Sequence, residues 1–271
     1  MGIPINQKNL LTLQFADDQL ILAQDKFDLE FMIRRLKNTY EAWGLNINFQ
    51  KTEYLAVNSD DREHLILEED EEEIQIEQVK QTKYLGTIVD RQEGVGKEEI
   101  KHRIELSRKI ISTLNSIWWD KHIWKDTKKY IGKTLVESVA TYGSEVWTIN
   151  NYYKNRLLAL EMDYLRRSAK KSKLEHTTNK EIRNIMDAEE SIIERIEKKE
   201  IRWLGHVLRM DEDRWPKQLY QWKPDRKRKR GRPKTTWKEN MMAAINSRGL
   251  NIEDAQDRRL WKNGTGRRQQ L

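Results

Sequence analysis

Two adjacent carboxylates, Asp17 and Asp18, follow Phe15 and Ala16 at the tip of an alternating apolar run. Paired carboxylates at a strand-turn-strand apex are the hard oxygen ligands that Mg²⁺ needs when it is held against the phosphates of a nucleotide. The same dipeptide also suits an ordinary turn, where Asp tolerates unusual backbone angles. A second chemistry-bearing feature is cationic. Gln221 to Lys234 holds eight bases and one acid, and Arg226 to Lys234 reads RKRKRGRPK. Such a run fits nucleic-acid binding, nuclear import or a solvated loop. With 0 Cys and 5 scattered His, neither a thiol nucleophile nor a Cys-ligated zinc is available, and His206 is expected to pack rather than bind metal.

The carboxylate pair needs a hairpin to present it, and the flanking pattern supplies one. Leu11, Leu13 and Phe15 alternate on one side of the pair, and Gln19 to Leu22 continue on the other. Asp25 then stands as the cap of a helix whose Leu29, Met32, Ile33, Leu36, Tyr40 and Trp43 follow a 3.6-residue period, with Gly44 at its end. Leu45, Ile47 and Phe49 alternate as a strand would, Tyr54 to Val57 continues the pattern, and Ile74 to Val79 and Lys83 to Val89 read as a further pair. Between them, Asp60 to Glu77 carries ten acids and one base, as a solvated hairpin or loop would. After Gly96 the period is helical: Ile100 to Trp118, a helix from Asp126 through Val146, Leu157 to Lys171, Ser191 to Met210, and a last helix over Thr236 to Ser247. The class is therefore α+β, with the sheet in residues 1–90 and helices beyond.

The order Phe15-Ala16-Asp17-Asp18, helix, Gly44-Leu45-Asn46-Ile47-Asn48, Lys51-Thr52 and Lys83-Tyr84-Leu85-Gly86 resembles the reverse transcriptases of non-LTR, LINE-type retrotransposons. The likeness continues through Tyr142 to Trp147, Arg202 to Met210, and Gly231-Arg232-Pro233-Lys234. It implies a partial polymerase palm over residues 1–90, a helical thumb over 91–150, a helical C-terminal region over 151–215 and a basic tail over 216–271. It further implies Mg²⁺ ligation by Asp17 and Asp18, a catalytic role for Lys51 on the triphosphate side, and primer or template contact at Tyr84, Leu85 and Gly86. The partners it implies are an RNA template and a DNA primer or target. In that family a further palm aspartate and the fingers lie upstream of the hairpin, and the ten residues before Leu11 do not contain them. The resemblance thus implies a missing upstream polymerase segment as partner and a chain inactive alone; the alternative is a non-catalytic nucleic-acid-binding remnant.

Charge supports a polyanionic partner. The chain has 271 residues and a net charge of +7, divided as −10 over residues 1–100 and +17 over residues 101–271. Arg226, Lys227, Arg228, Lys229, Arg230, Gly231, Arg232, Pro233 and Lys234 resemble an AT-hook, a narrow segment that lays arginines into an A·T-rich minor groove. The 10 Trp are read mostly as inter-helix packing. No apolar run is long enough to span a bilayer, and residues 1–9 lack a signal-peptide core, so an intracellular, nuclear protein without a membrane partner is expected.

Overall fold

The computed structural model describes residues 1–57, 59, 63–69, 72–92, 95–223 and 236–266. The chain divides into two compact units, residues 1–94 with 210–229, and residues 95–209 with 230–271.

The first unit is built from short strands around one helix. Strand β1 (Ile3–Ile5) pairs antiparallel with β2 (Lys8–Leu10), and β3 (Thr12–Phe15) with β4 (Asp18–Ile21). Helix α1 (Lys26–Ala42) follows, its first turn fixed by the Asp25 side chain, which accepts from the Asp28 amide at 2.8 Å. Strands β5 (Glu53–Tyr54), β6 (Leu65–Glu69) and β7 (Glu72–Gln78) form one sheet in the order β5-β7-β6, with β5 parallel to β7. Strands β8 (Gln81–Tyr84) and β9 (Thr87–Asp90) make a separate hairpin.

The acidic stretch turns out to be amphipathic. In the β6-β7 hairpin Leu65 faces Ile76 and Leu67 faces Ile74 across the ladder, while Glu73 and Glu77 take the alternate, exposed positions. Leu65, Leu67 and Ile76 are buried against Ile33 of α1, with Ile21, Leu29, Phe49 and Tyr54 around them. Two expectations fail here. Leu45 to Asn48 forms no strand, and from Phe49 the chain turns, because Asn48 folds it back on itself. Lys83 to Val89 is two strands, split at Leu85-Gly86, which pair with each other and not with Ile74 to Val79.

The second unit is helical. Helices α2 (Lys97–Thr113), α3 (Asn115–Trp119) and α4 (Lys125–Ile131) lead into a π-helical turn over Gly132–Glu137 and a short α5 (Ser138–Ala140). The single helix expected from Asp126 to Val146 is thus interrupted, and it stops at Gly143, whose φ is +66°. Helices α6 (Asn151–Ser168), α7 (Asn179–Ile185) and α8 (Ile192–Leu208) follow, with Asn150, Thr178 and Ser191 as N-caps. A short helix α9 (Trp215–Gln221), with Pro216 in its first turn, belongs to the first unit. Helices α10 (Trp237–Asn246) and α11 (Arg258–Gly264) complete the second unit.

One core joins α2, α3, α6, α7 and the start of α8 through Ile100, Ile104, Ile111, Trp118, Leu157, Leu160, Ile182 and Ile196. It contains a charged network. Arg195 Nη2 donates to Glu137 Oε1 at 2.8 Å and to Glu161 Oε1 at 2.6 Å, Tyr164 Oη donates to Glu137, and Arg183 pairs with Glu161. Burial pushes the Glu137 carboxyl up, and Arg195 opposes that shift.

Candidate functional site

The carboxylate pair sits where the sequence puts it. In the β3-β4 hairpin Phe15 pairs with Asp18, leaving Ala16 and Asp17 as the two-residue turn, with Ala16 at φ +52°. Asp17 and Asp18 are both exposed. The hairpin is tied to α1 beside the pair, because Tyr40 Oη donates to Gln19 Oε1 at 2.7 Å. Beyond that, β3 and β4 pair only with each other among the described residues, and Leu13 and Phe15 of β3 are exposed, Phe15 at 64%.

Lys51 owes its position to Asn48. The Asn48 side chain accepts from the Lys51 amide at 3.3 Å, and the Asn48 carbonyl accepts from that amide at 3.1 Å and from Thr52 Oγ1 at 2.9 Å. Gly44 at φ +71° ends α1, and the Leu45 amide closes back on the Tyr40 carbonyl at 2.8 Å. The stretch from Gly44 to Thr52 therefore works as a helix stop followed by an Asn-organised turn that exposes Lys51. Tyr84 is half-buried at the end of β8, and Leu85 and Gly86 form the β8-β9 turn with φ of +47° and +80°. A turn with positive φ at both central positions is the hairpin type that matches strand twist, and it explains the glycine. Among the described residues no hydrogen bond or ion pair joins Asp17 or Asp18 to Lys51 or Tyr84.

Magnesium takes near-octahedral oxygen coordination, and a polymerase-type pair of ions needs carboxylates from more than one strand. Among the described residues no three His, Asp or Glu side chains come together as a metal site. The residues present supply two adjacent exposed carboxylates, which do not by themselves make the family's metal centre. Arg226 to Lys234 lie outside the described residues.

In the second unit the aromatic residues divide. Trp118 and Trp147 are buried, as expected of packing residues, and Trp118 Nε1 donates to the Ile111 carbonyl at 2.9 Å. Trp119 and Trp124 correct the packing expectation: both are exposed, Trp124 at 81%, because they lie at the end of α3 and in the turn before α4. Trp124 lines a groove of about 430 Å³ together with Lys121, His122 and Lys170. Lys128 on that groove is structural, its buried Nζ donating to the Trp118 and Asp120 carbonyls at 2.7 and 2.6 Å. Burial pushes its ammonium pKa down. His206 is exposed, with its ring 5.6 Å from that of Trp203. No described helix is long and apolar enough to cross a membrane.

No protein-family model and no solved structure matches the chain. An uncharacterized protein of Caenorhabditis elegans, named as transposon-derived, is 25% identical over 268 residues, which cover 95% of this chain and 95% of its own length. That full-length similarity supports a transposable-element origin for the chain.

Proposed function

We propose that the chain is the carboxy-terminal portion of a LINE-type reverse transcriptase, which holds template and primer and contributes two carboxylates to a metal site completed by an upstream polymerase segment. The observation that carries this reading is the pair Asp17 and Asp18 at the apex of a hairpin, followed by α1, the Lys51 turn and the Tyr84-Leu85-Gly86 turn in the family's order. Each of those motif residues except Tyr84 is exposed or lies in a turn, as groups that meet a substrate must be. In the completed enzyme Asp17 and Asp18 would hold Mg²⁺, Lys51 would face the triphosphate, and residues 91–150 would serve as thumb. The Trp124 groove suits that thumb role, since an exposed indole flanked by lysines offers a base-stacking face beside a cationic rim.

A second reading is a nucleic-acid-binding protein without chemistry. Its support is the +17 of residues 101–271. Both readings require nucleic-acid binding. Retention of an RNA–DNA hybrid with a recessed primer end tests that shared requirement: the chain should bind it, and Trp124→Ala should weaken binding without unfolding the protein. A chain that fails to retain the hybrid at low salt would overturn both.

A further inference from the structure

The face where α8 meets α11 collects positive charge around one concavity. Arg202 and His206 on α8 and Arg209 at its C-cap recur at i, i+4 and i+7, a spacing that aligns them along one side of the helix. Arg258 and Lys262 recur at i and i+4 on α11. These five side chains and Trp261 line a cleft of about 380 Å³, and none of its lining residues is acidic.

Like charges on neighbouring helices repel, so something other than their own attraction must hold them together. Trp261 does so. Its side chain is 2% exposed, and its Nε1 donates to the Ile201 carbonyl of α8 at 2.9 Å. The indole lies so close to α8 that a Cβ on Gly205 would come within 2.1 Å of it. Gly205 is therefore the residue that lets α11 dock, and docking sets Arg258 and Lys262 opposite Arg202 and His206. Arg209 reinforces the arrangement by donating to the Ala255 carbonyl in the turn before α11. Arg202, Arg258 and Lys262 are exposed, and their side chains make no described hydrogen bond or ion pair.

We propose that this α8-α11 cleft is a binding site for the phosphodiester backbone of nucleic acid. Guanidinium groups on one side facing Arg258 and Lys262 on the other suit a ligand with repeating negative charge, and guanidinium groups pair with phosphate oxygens in bidentate geometry. The floor is the edge of a buried indole that already donates its N–H, so Trp261 offers no open face for a base to stack on. It grips backbone and leaves the bases unread, which makes binding independent of sequence. The inference rests on the reading that the chain binds nucleic acid, and it assigns that binding to residues separate from Trp124 and from Arg226 to Lys234.

The test is a salt titration of full-length chain on a short mixed-sequence DNA duplex, comparing wild type, Arg202→Ala/Arg258→Ala/Lys262→Ala, Trp124→Ala, and a variant with the bases of Arg226 to Lys234 replaced by Ala. Losing three phosphate contacts should flatten the log-log salt slope by about 2 to 3 units and weaken binding about a hundredfold at ~0.1 M salt. The loss should be equal on A·T-rich and G·C-rich duplexes. Unchanged circular dichroism of the triple variant separates lost contacts from lost folding. Wild-type binding by the triple variant, with loss confined to the Trp124 or Arg226 to Lys234 variants, would overturn the cleft and leave the nucleic-acid reading standing. No duplex or hybrid binding by wild type would overturn both, as would charge-dependent retention on phosphatidylserine vesicles without any binding to duplex.

Discussion

Gly205→Ala sets two effects of opposite sign against each other. In an α-helix interior alanine is favoured over glycine by about 1 kcal/mol, so propensity alone makes the variant more stable. Packing opposes it. The new Cβ would lie 2.1 Å from Trp261 Nε1, 2.5 Å from Cδ1 and 2.9 Å from Cε2, and the indole must retreat by roughly 1 Å or more to relieve the overlap. Overpacking a tight core costs about 1 to 3 kcal/mol. The retreat also breaks the hydrogen bond to the Ile201 carbonyl and strands a buried indole N–H, which costs about 1 to 3 kcal/mol more. Packing wins, with a net loss of about 1 to 5 kcal/mol. Urea unfolding followed by circular dichroism should show a lower midpoint, hydrogen exchange should quicken in α11, and duplex affinity should fall as Arg258 and Lys262 lose their places. Trp261→Phe in the same background should recover part of the stability, since the smaller ring leaves room for the methyl. A Gly205→Ala variant as stable as wild type, with α11 protection intact, would refute the account of how α11 docks.

Glu200 gives a pH test. Burial, aided by the neighbouring Glu197, pushes its carboxyl up to about 9 at 5% exposure, so between the ordinary glutamate pKa and about 9 the folded chain keeps a proton that the unfolded chain has released. This contribution to stability is greatest in acid, falls by up to about 1.4 kcal/mol per pH unit as pH rises through that window, and levels off above it. Glu200→Gln should flatten the pH dependence of the melting temperature, and an unchanged slope would contradict the assignment. Arg195→Ala should cost about 3 to 5 kcal/mol, because it removes the cation that the buried Glu137 and Glu161 share; a loss below about 1 kcal/mol on urea unfolding would show that the network is not held by this cation. Amide exchange should be faster in residues 1–92 than in α2, α6 and α8, because the strands among the first unit's described residues form four separate small sheets; equal protection would argue against weak pairing there.

Local signals with a single physical meaning were legible in the sequence. Asp25 caps α1 and Gly44 takes a positive φ, each because one side chain or its absence satisfies one geometric need. The β3-β4 hairpin was legible from its alternation. Leu45 to Phe49 misled because apolar alternation also fits a turn held by Asn48, whose side-chain bond to the Lys51 amide competes with a strand ladder. The π-helical turn at Gly132–Glu137 was hidden because its apolar spacing still reads as α-helix; Gly132 there lies against the ring of Tyr164. The α8-α11 cleft was least legible. Its cations lie fifty-odd residues apart in sequence, and the packing of Trp261 against Gly205 brings them together. The run Arg202 to Met210 held half of the signal, in the spacing of Arg202, His206 and Arg209 around a glycine.

Primer extension tests the central claim most directly. The chain is assayed alone and joined to a fingers-and-palm segment that carries the further aspartate of a LINE-type reverse transcriptase, on an RNA template with a DNA primer, Mg²⁺ and all four deoxynucleotides. The account predicts no extension by the chain alone, extension by the joined protein, and loss of that extension in Asp17→Ala with folding intact, since an exposed turn carboxylate contributes little packing. Extension by the joined protein that is indifferent to Asp17→Ala would contradict it.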